Sequence, residues 1–151
     1  MDYHVKVIDQ LITGDCSEEA KKFVDNSVHY GGITPACILQ GGETTVRVSG
    51  NGKGGRNQHF ALCALKELAN NGNPANIFIL SGGTDGTDGP TDAAGAVTSN
   101  EVLKIAASAG LSVDDYIDNN DAYHFFKKTD GLLITGPTQT NVMDIMIAII
   151  K

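Results

Sequence analysis

The sequence predicts an α/β fold: a layered sheet with flanking helices and with glycine-rich loops at the strand ends. Short apolar segments alternate with amphipathic helical segments, and the 18 glycines cluster directly after the apolar ones. The 151 residues, 41% of them hydrophobic and 19% charged, suit one globular domain with its own core. We expect a single domain over residues 1–151, with a leading strand–helix segment at 1–35 and a motif-bearing core at 36–151.

The strand candidates are short β-branched or apolar runs: Tyr3–Ile8, Ala36–Leu39, Thr44–Val48, Ile77–Leu80, Ala93–Thr98 and Leu132–Thr135. Among them, Ile77–Leu80 and Leu132–Thr135 have the continuous apolar composition of strands buried on both faces. The last segment, Asn141–Ile150, fits a strand by its β-branched end and a helix by its apolar spacing, and we favour the strand.

The helix candidates repeat apolar residues along one helical face: Ser17–Val28, Asn57–Ala69, Glu101–Ala109, Val113–Ile117 and Ala122–Lys127. Asp15 and Glu18 have the spacing of a capping box, which predicts the start of the first helix. Gly72 and Gly110 are the expected ends of the second and third helices. In a sheet of this kind ligands bind beyond the carboxyl ends of strands, so we expect the glycine-rich loops to converge on one edge.

Charge and composition exclude several classes of protein. A formal net charge of -7 argues against a general nucleic-acid or anionic-membrane surface. No apolar run approaches the ~20 residues of a membrane span, and the N-terminus lacks the pattern of a signal peptide. Cys16, Cys37 and Cys63 match no zinc spacing and are predicted to be buried, reduced thiols. We therefore predict a cytoplasmic protein with a small-molecule substrate and with neither a nucleic-acid nor a membrane partner.

The first chemical motif is the glycine-rich loop at 50–58, between a predicted strand and a predicted helix. It contains the spacing GxGxxG, but the next strand lacks the acid that would hold a ribose, and the residue after Lys53 is wrong for a Walker A loop. Backbone N–H groups at a helix start, with one guanidinium and one ammonium, suit a phosphate or carboxylate. The predicted anion site comprises Gly52, Lys53, Gly54, Gly55, Arg56 and Asn57, and a flexible solvated loop is the alternative.

The second motif, at 81–92, holds three aspartates and four glycines after a buried strand. The spacing of its aspartates fails the EF-hand pattern. Carboxylates on such a loop ligate Mg²⁺, hold a substrate hydroxyl or act as a base, and tight turns are the structural alternative. Asp85 and Asp88 are the candidates for these roles, with Thr84 beside them.

Two weaker motifs and one histidine complete the candidates. The loop at 135–141 offers Thr138, Thr140 and Asn141 as polar contacts for phosphate oxygens. Glu43 follows a glycine pair and either orders a ligand or loop or forms an ion pair with Arg56 or Lys53. His59 follows the first glycine-rich loop and faces either the site or solvent.

Together these stretches resemble one known family. The segments GGETTVRVSGNGKGGRNQ, SGGTDGTDGPTDAAGAV and LLITGPTQTNVMDIMIAII are similar to the C-terminal MOFRL domain of type-2 glycerate kinases, some of which are labelled hydroxypyruvate reductase. The stretch at 119–123 resembles the short Asn-Asp-x-Tyr stretch of that family. Two positions depart from it: His59 stands where the family commonly has Glu, and Gln139 where it usually has Gly.

The resemblance implies ATP- and Mg²⁺-dependent phosphorylation of D-glycerate, in a cleft between two lobes of which this chain is the C-terminal one. It implies catalytic roles for Arg56, Asp85 and Asp88, the two aspartates being candidate Mg²⁺ ligands. The matching arginine acts with a lysine of the N-terminal lobe, supplied in cis or in trans, so we expect the chain alone to be largely inactive. A hydroxypyruvate reductase and a non-catalytic ligand-binding or oligomerisation module are the alternatives, and a homo-oligomer is left open.

Overall fold

The computed structural model describes residues 2–72 and 74–151. The strands are His4–Asp15 (β1), Ala36–Thr45 (β2), Ile77–Gly83 (β3), Gly95–Ser99 (β4), Leu132–Leu133 (β5) and Asp144–Ile150 (β6). The helices are Cys16–Val28 (α1), Arg56–Asn70 (α2), Asn100–Ser108 (α3), Val113–Asp118 (α4) and Ala122–Thr129 (α5). This confirms the predicted α/β class, the five predicted helices and the strand at the C-terminal end.

The strands form one mixed sheet in the order β1-β2-β6-β3-β4-β5. β1 and β2 are parallel, whereas β6 lies antiparallel between β2 and β3. The ends of β2 and β3 therefore meet the start of β6, and Asp144 is paired with Gly42 on one side and with Gly83 on the other. This register brings the loops after β2 and β3 to one edge of the sheet, as the sequence predicts.

Local sequence explains where the two longest helices begin. The Asp15 carboxylate accepts the N–H groups of Ser17 at 2.9 Å and Glu18 at 3.4 Å, which confirms it as the N-cap of α1. α2 begins after Gly55, which has no side chain to cap it, so its first N–H groups need acceptors from another segment. That acceptor is a carboxylate of the candidate site.

The core lies between the sheet and the helices. The core has two clusters of buried residues. The first packs α1 and α2 against strands β1, β2, β6 and β3. The second packs α2 against β4, α3 and α5. α2 contributes to both clusters through residues such as Phe60 and Leu62, neither of which is exposed. The position of α2 therefore determines how the two halves of the core fit together. None of the helices in the described ranges is long and apolar enough to cross a membrane.

Several strand predictions were wrong in their bounds. The first expected strand, Tyr3–Ile8, continues to Asp15 as β1. The expected strands Ala36–Leu39 and Thr44–Val48 form one strand, β2, which ends at Thr45. The glycine pair that suggested a turn stays in the sheet, because Gly42 is paired with both Ile12 and Asp144. Gly42 has φ +150°, and a Cβ there would overlap the backbone of Ile12, so only glycine allows this close pairing with β1.

The predictions of strands buried on both faces were also wrong. In β3, Ile77 and Ile79 are buried, whereas Phe78 and Leu80 are only half-buried. β6 shows the same alternation. The helices cover one face of the sheet, so only alternate residues reach the core. The segment Leu132–Thr135 forms only the two-residue edge strand β5, whose leucines are half-buried.

The cysteine and histidine predictions need smaller corrections. Cys16 and Cys63 are buried as predicted, and burial raises the pKa of Cys16 to about 12 and that of Cys63 to about 11, so both stay thiols. Cys37 is half-buried rather than buried. His59 lies neither in the site nor in solvent. It is on the buried side of α2 and is only 6% exposed.

The buried imidazole of His59 predicts a pH dependence of stability. Burial lowers its pKa below the ordinary value of 6.5, with the charge of Asp15 acting in the opposite direction. Below pH 6.5 the unfolded chain binds more protons than the folded one, so stability should fall as the pH falls through this value. Urea unfolding between about pH 7.5 and about pH 5.5 should show a shallower loss for His59→Gln than for the parent. Equal slopes for the two proteins would contradict the prediction.

Candidate functional site

A cavity of about 950 Å³ opens at the edge of the sheet where the glycine-rich segments meet. The end of β2, the start of α2 and the loop after β3 line it. Of the predicted site residues, it is lined by Glu43, Gly54, Gly55, Arg56, Asp85 and Asp88. The lining does not include the other seven predicted residues: Gly52, Lys53, Asn57, Thr84, Thr138, Thr140 and Asn141.

Arg56, the first residue of α2, is held by two carboxylates. Its Nε donates to Asp144 Oδ2 at 2.6 Å and its NH2 donates to Asp144 Oδ1 at 3.0 Å, which makes a bidentate pair. Its NH1 lies 2.9 Å from Glu43 Oε1. The hydrogen bonds to Asp144 raise the pKa of the guanidinium above its ordinary value, so the arginine stays charged. The ion pair between Glu43 and Arg56, one of the alternatives left open by the sequence, is present.

The missing cap of α2 is supplied by Asp88 from the loop after β3. Its Oδ1 accepts the N–H of Asn57 at 3.0 Å, and its Oδ2 accepts the N–H of Gln58 at 2.8 Å. Gly55 makes this approach possible, because a Cβ there would overlap the Asp88 carboxyl group. Burial raises the pKa of Asp88 although these donors favour the charged form. The geometry favours a structural role for Asp88 over the predicted catalytic and metal-binding roles.

Most N–H groups of the first glycine-rich loop are satisfied by the stretch at 119–121. Asn120 Oδ1 accepts the N–H groups of Ser49 and Gly50, and the Asn119 carbonyl accepts that of Gly52 at 2.8 Å. The N–H of Lys53 donates to Asp121 at 2.8 Å. This part of the loop is therefore fixed by protein acceptors and does not form the predicted anion cradle.

The last two residues of the same loop differ from the rest. Within residues 2–72 and 74–151, no hydrogen-bond acceptor serves the N–H groups of Gly54 and Gly55. Both glycines line the cavity beside Arg56. Two free N–H groups next to a guanidinium at a helix start form a surface suited to an anion. The predicted anion site is thereby reduced to Gly54, Gly55 and Arg56.

Lys53 lies outside this arrangement. Its Nζ stands 4.5 Å from the centroid of the Tyr123 ring, and its charge acts on Asp92. Tyr123 itself donates to Asp92 at 2.9 Å. The ammonium therefore forms a cation–π contact away from the cavity lining, instead of adding charge beside Arg56.

The loop after β3 is tied to the loop that precedes β6. Thr84 Oγ1 donates to the Met143 carbonyl at 2.7 Å and accepts the N–H of Val142 at 2.9 Å. The Thr138 hydroxyl donates to the Thr84 carbonyl. The predicted polar contacts Thr84 and Thr138 thus connect two loops, and Thr140 and Asn141 lie in the same connected segment.

Asp85 is the half-buried carboxylate of this loop that keeps capacity for a ligand. Its Oδ1 accepts the N–H of Thr87 at 2.9 Å and the Thr87 hydroxyl at 3.2 Å. No donor from residues 2–72 and 74–151 reaches its Oδ2. The same part of the chain contains no group of three or more His, Cys, Asp or Glu side chains arranged to hold a metal ion.

Two residues of the site escape sequence reasoning. Asp144 carries no motif of its own and stands at the head of an apolar strand, 88 positions from its partner Arg56. Thr44 lines the cavity, and its buried hydroxyl has no hydrogen-bond partner in the described part of the chain. Its place in the segment LLITGPTQTNVMDIMIAII and its charge at the head of an apolar strand were the signals for Asp144.

The capping role of Asp88 predicts a loss of stability when its charge is removed. In Asp88→Asn one oxygen becomes an NH₂ group that faces a backbone N–H of α2, leaving a buried donor unsatisfied. We expect the free energy of unfolding to fall by about 1–3 kcal/mol, measured by urea denaturation. Asp114→Asn is the matched control, because this exposed aspartate pairs with Lys66 at the surface and should change stability by less than ~0.5 kcal/mol. Unchanged or greater stability of Asp88→Asn would show that relief of a buried charge outweighs the cap.

Comparison with known proteins now adds to the geometry. Residues 36–144 match the MOFRL family. The chain is 48% identical over 116 residues to the D-glycerate 2-kinase of Thermotoga maritima, which covers 77% of this chain and 27% of that protein. It is 49% identical over 117 residues to the glycerate kinase of Danio rerio, covering 76% of this chain and 23% of that protein. The chain thus spans about a quarter of the length of these relatives.

A solved structure gives the same result. The crystal structure of glycerate kinase from Thermotoga maritima superposes with a TM-score of 0.90 at 38% identity, over 99% of this chain and 36% of that one. The resemblance drawn from the glycine- and aspartate-rich motifs is therefore confirmed. Because the family match covers well over half of its residues, this chain belongs to the MOFRL family.

Proposed function

We propose that this chain forms the C-terminal, anion-binding lobe of a glycerate kinase that transfers a phosphoryl group from ATP to D-glycerate. The observation that carries the proposal is Arg56, charged and fixed at the start of α2, with the free N–H groups of Gly54 and Gly55 beside it in one cavity. The names of the relatives supply the reaction, and the cavity supplies a place for its anionic groups.

The residues of this chain perform positioning and charge stabilisation, which is most of the catalysis in phosphoryl transfer. Arg56 binds either the glycerate carboxylate or the transferring phosphoryl group through its N–H groups that the protein leaves unused. The N–H groups of Gly54 and Gly55 fix the orientation of the same anion. Thr138, Thr140 and Asn141 are contacts of lower rank, since part of their polar capacity is used within the protein: Thr138 bonds to Thr84, and Asn141 bonds to Met143 in its own loop.

The charge of the cavity calls for additional positive charge. Among the residues that the structure describes, Glu43, Asp85 and Asp88 line the cavity and Arg56 is the one cationic side chain there, because Lys53 is held at Tyr123. A nucleotide brings more negative charge to this acidic surface. We infer that this charge is balanced by Mg²⁺ bound to the phosphates and by a lysine of an N-terminal lobe, in cis or in trans, at a cleft between the lobes.

The fit of Mg²⁺ to the two predicted ligands differs. Asp85 has an oxygen, Oδ2, that no donor in the described part of the chain reaches, and it suits the role of a carboxylate ligand of a phosphate-bound Mg²⁺. Asp88 does not suit this role, since both its oxygens accept N–H groups of α2. The metal, when bound, would neutralise charge on the phosphates, and Asp85 would orient it.

We prefer the kinase to the two alternatives. No acid stands at the end of β3 before Asp85, where a dinucleotide-binding reductase would hold a ribose. The relatives above are named for a kinase rather than for a binding or oligomerisation module.

The three cysteines are free, which favours the reducing cytoplasm as the location.

Arg56→Lys tests the anion site directly. Lysine keeps the charge but lacks the planar fork that binds two oxygens, so affinity for 2-phosphoglycerate should fall by about tenfold or more. The ligand is the product expected if the chain acts like its Thermotoga relative. Affinity is measured by following ¹⁵N-labelled backbone amides during titration, and the signals of Gly54 and Gly55 should shift in the parent.

Arg47→Lys is the matched control for Arg56→Lys, because Arg47 is the other arginine of the chain and is exposed outside the cavity lining. It should bind the ligand like the parent. Thermal melts of both variants establish that the fold is kept. If Arg56→Lys melts normally and binds with parental affinity, Arg56 does not bind the anion and the proposed site is wrong.

The chain by itself should transfer little or no phosphate from ATP to D-glycerate. Groups contributed by a second lobe act through orientation, which is worth ~7 kcal/mol or more in such reactions. Coupled detection of ADP with the purified chain, ATP, Mg²⁺ and D-glycerate measures the rate. Turnover near ~10 s⁻¹ would mean that the site is complete in this chain. The Arg56→Lys chain serves as the control, since a contaminating kinase would be unaffected by the substitution.

A further inference from the structure

We propose that Asp144 is the positioning residue of the anion site, which fixes one edge of the Arg56 guanidinium and so aims the other edge into the cavity. The proposal deepens the function proposed above and rests on it. It assigns a role to a residue that touches no ligand and that acts entirely through Arg56.

The geometry of the pair is that of a fixed partner. Asp144 uses both oxygens on Nε and NH2 of Arg56, at 2.6 Å and 3.0 Å. The Asp144 side chain is 1% exposed, whereas that of Arg56 is 35% exposed. A fully desolvated carboxylate is costly unless it is paired, so release of Arg56 from Asp144 would leave a buried, uncompensated charge.

The sheet holds Asp144 in place from both sides. It is the first residue of β6, between Gly42 of β2 and Gly83 of β3. Both neighbours are glycines, and a Cβ at Gly83 would stand 3.6 Å from Asp144 Oδ1, which is ordinary van der Waals contact. The carboxylate therefore has the rigid support of three paired strands, which a loop residue would lack.

Glu43 makes the contrasting contact on the same guanidinium. Its side chain is 53% exposed, and one of its oxygens, Oε1, forms an ion pair with NH1 at 2.9 Å. Of the five N–H groups of an arginine, Asp144 takes two, which leaves three for a ligand, and Glu43 faces NH1 as an ion pair. An incoming carboxylate or phosphate can displace Glu43 at little cost, because the displaced carboxylate returns to water.

The two carboxylates should therefore have opposite effects on anion affinity. Removing the charge of Asp144 frees the guanidinium to rotate and should weaken binding. Removing the charge of Glu43 takes away a competitor and should strengthen binding. If the pair with Asp144 served only to dock α2 on the sheet, its loss would change stability without changing the affinity of the folded protein.

The experiment compares Asp144→Asn, Asp144→Glu and Glu43→Gln with the parent chain, using inorganic phosphate and 2-phosphoglycerate as probes. Amide shifts give the affinities, the Nε–H signal of Arg56 reports its immobilisation, and urea denaturation gives the stability. We expect about tenfold weaker binding and faster exchange of the Nε–H in Asp144→Asn, intermediate values in Asp144→Glu, and a gain of about two- to fivefold in Glu43→Gln. Asp114→Asn, which removes an exposed aspartate paired with Lys66, is the control and should match the parent.

The outcomes separate this inference from the proposed function. Parental affinity in folded Asp144→Asn, or unchanged affinity in Glu43→Gln, overturns the positioning role and leaves the kinase proposal standing. Binding of inorganic phosphate without 2-phosphoglycerate counts against the proposed function, while the phosphate affinities still test Asp144. Absence of binding to either probe overturns both. If Asp144→Asn does not fold, the opposite changes expected in Asp144→Glu and Glu43→Gln decide the matter.

Discussion

The first turn of α2 is held by two buried carboxylates, and the rest of the site depends on that arrangement. Asp88 accepts the N–H groups that the helix leaves open at its start, and Asp144 pairs with the side chain of its first residue. Asp88 comes from the loop after β3, and Asp144 is the first residue of β6. Because α2 packs into both parts of the core, these contacts also fix the helix relative to the whole sheet.

Glycine makes the contact with Asp88 sterically possible. Gly55 allows the Asp88 carboxyl group to approach the helix start, and the strand neighbours of Asp144 are Gly42 and Gly83. The glycine-rich segments are therefore closely packed parts of the structure, and their N–H groups are largely bonded to protein acceptors. High glycine content here reflects close approach between segments more than loop mobility.

The sequence predicts local features well and long-range partners poorly. The helical stripe of α2 and the capping spacing of Asp15 depend on neighbours within a few residues, so α1 and α2 were predicted nearly to their ends. The break expected at Gly41 and Gly42 was wrong, because pairing with β1 and β6 overrides a local turn signal. The cation–π contact of Lys53 and the ion pair of Asp144 join residues about 70 and 88 positions apart, and no local pattern encodes such distances.

The guanidinium of Arg56 has two carboxylate partners of different kinds: buried Asp144 and exposed Glu43. An arginine side chain carries ~2 kcal/mol of rotamer entropy, which a ligand must overcome if the side chain is free. Here the bidentate pair with buried Asp144 orders the side chain during folding, so that loss does not fall on the binding step. Glu43 meanwhile forms an ion pair on the exposed edge, and in the proposed site an anion replaces it. In the proposed site, affinity for a two-oxygen anion then depends on how much more strongly the ligand binds Arg56 than Glu43 does. Because Glu43 is exposed to water, its own interaction with Arg56 is weak and easily replaced.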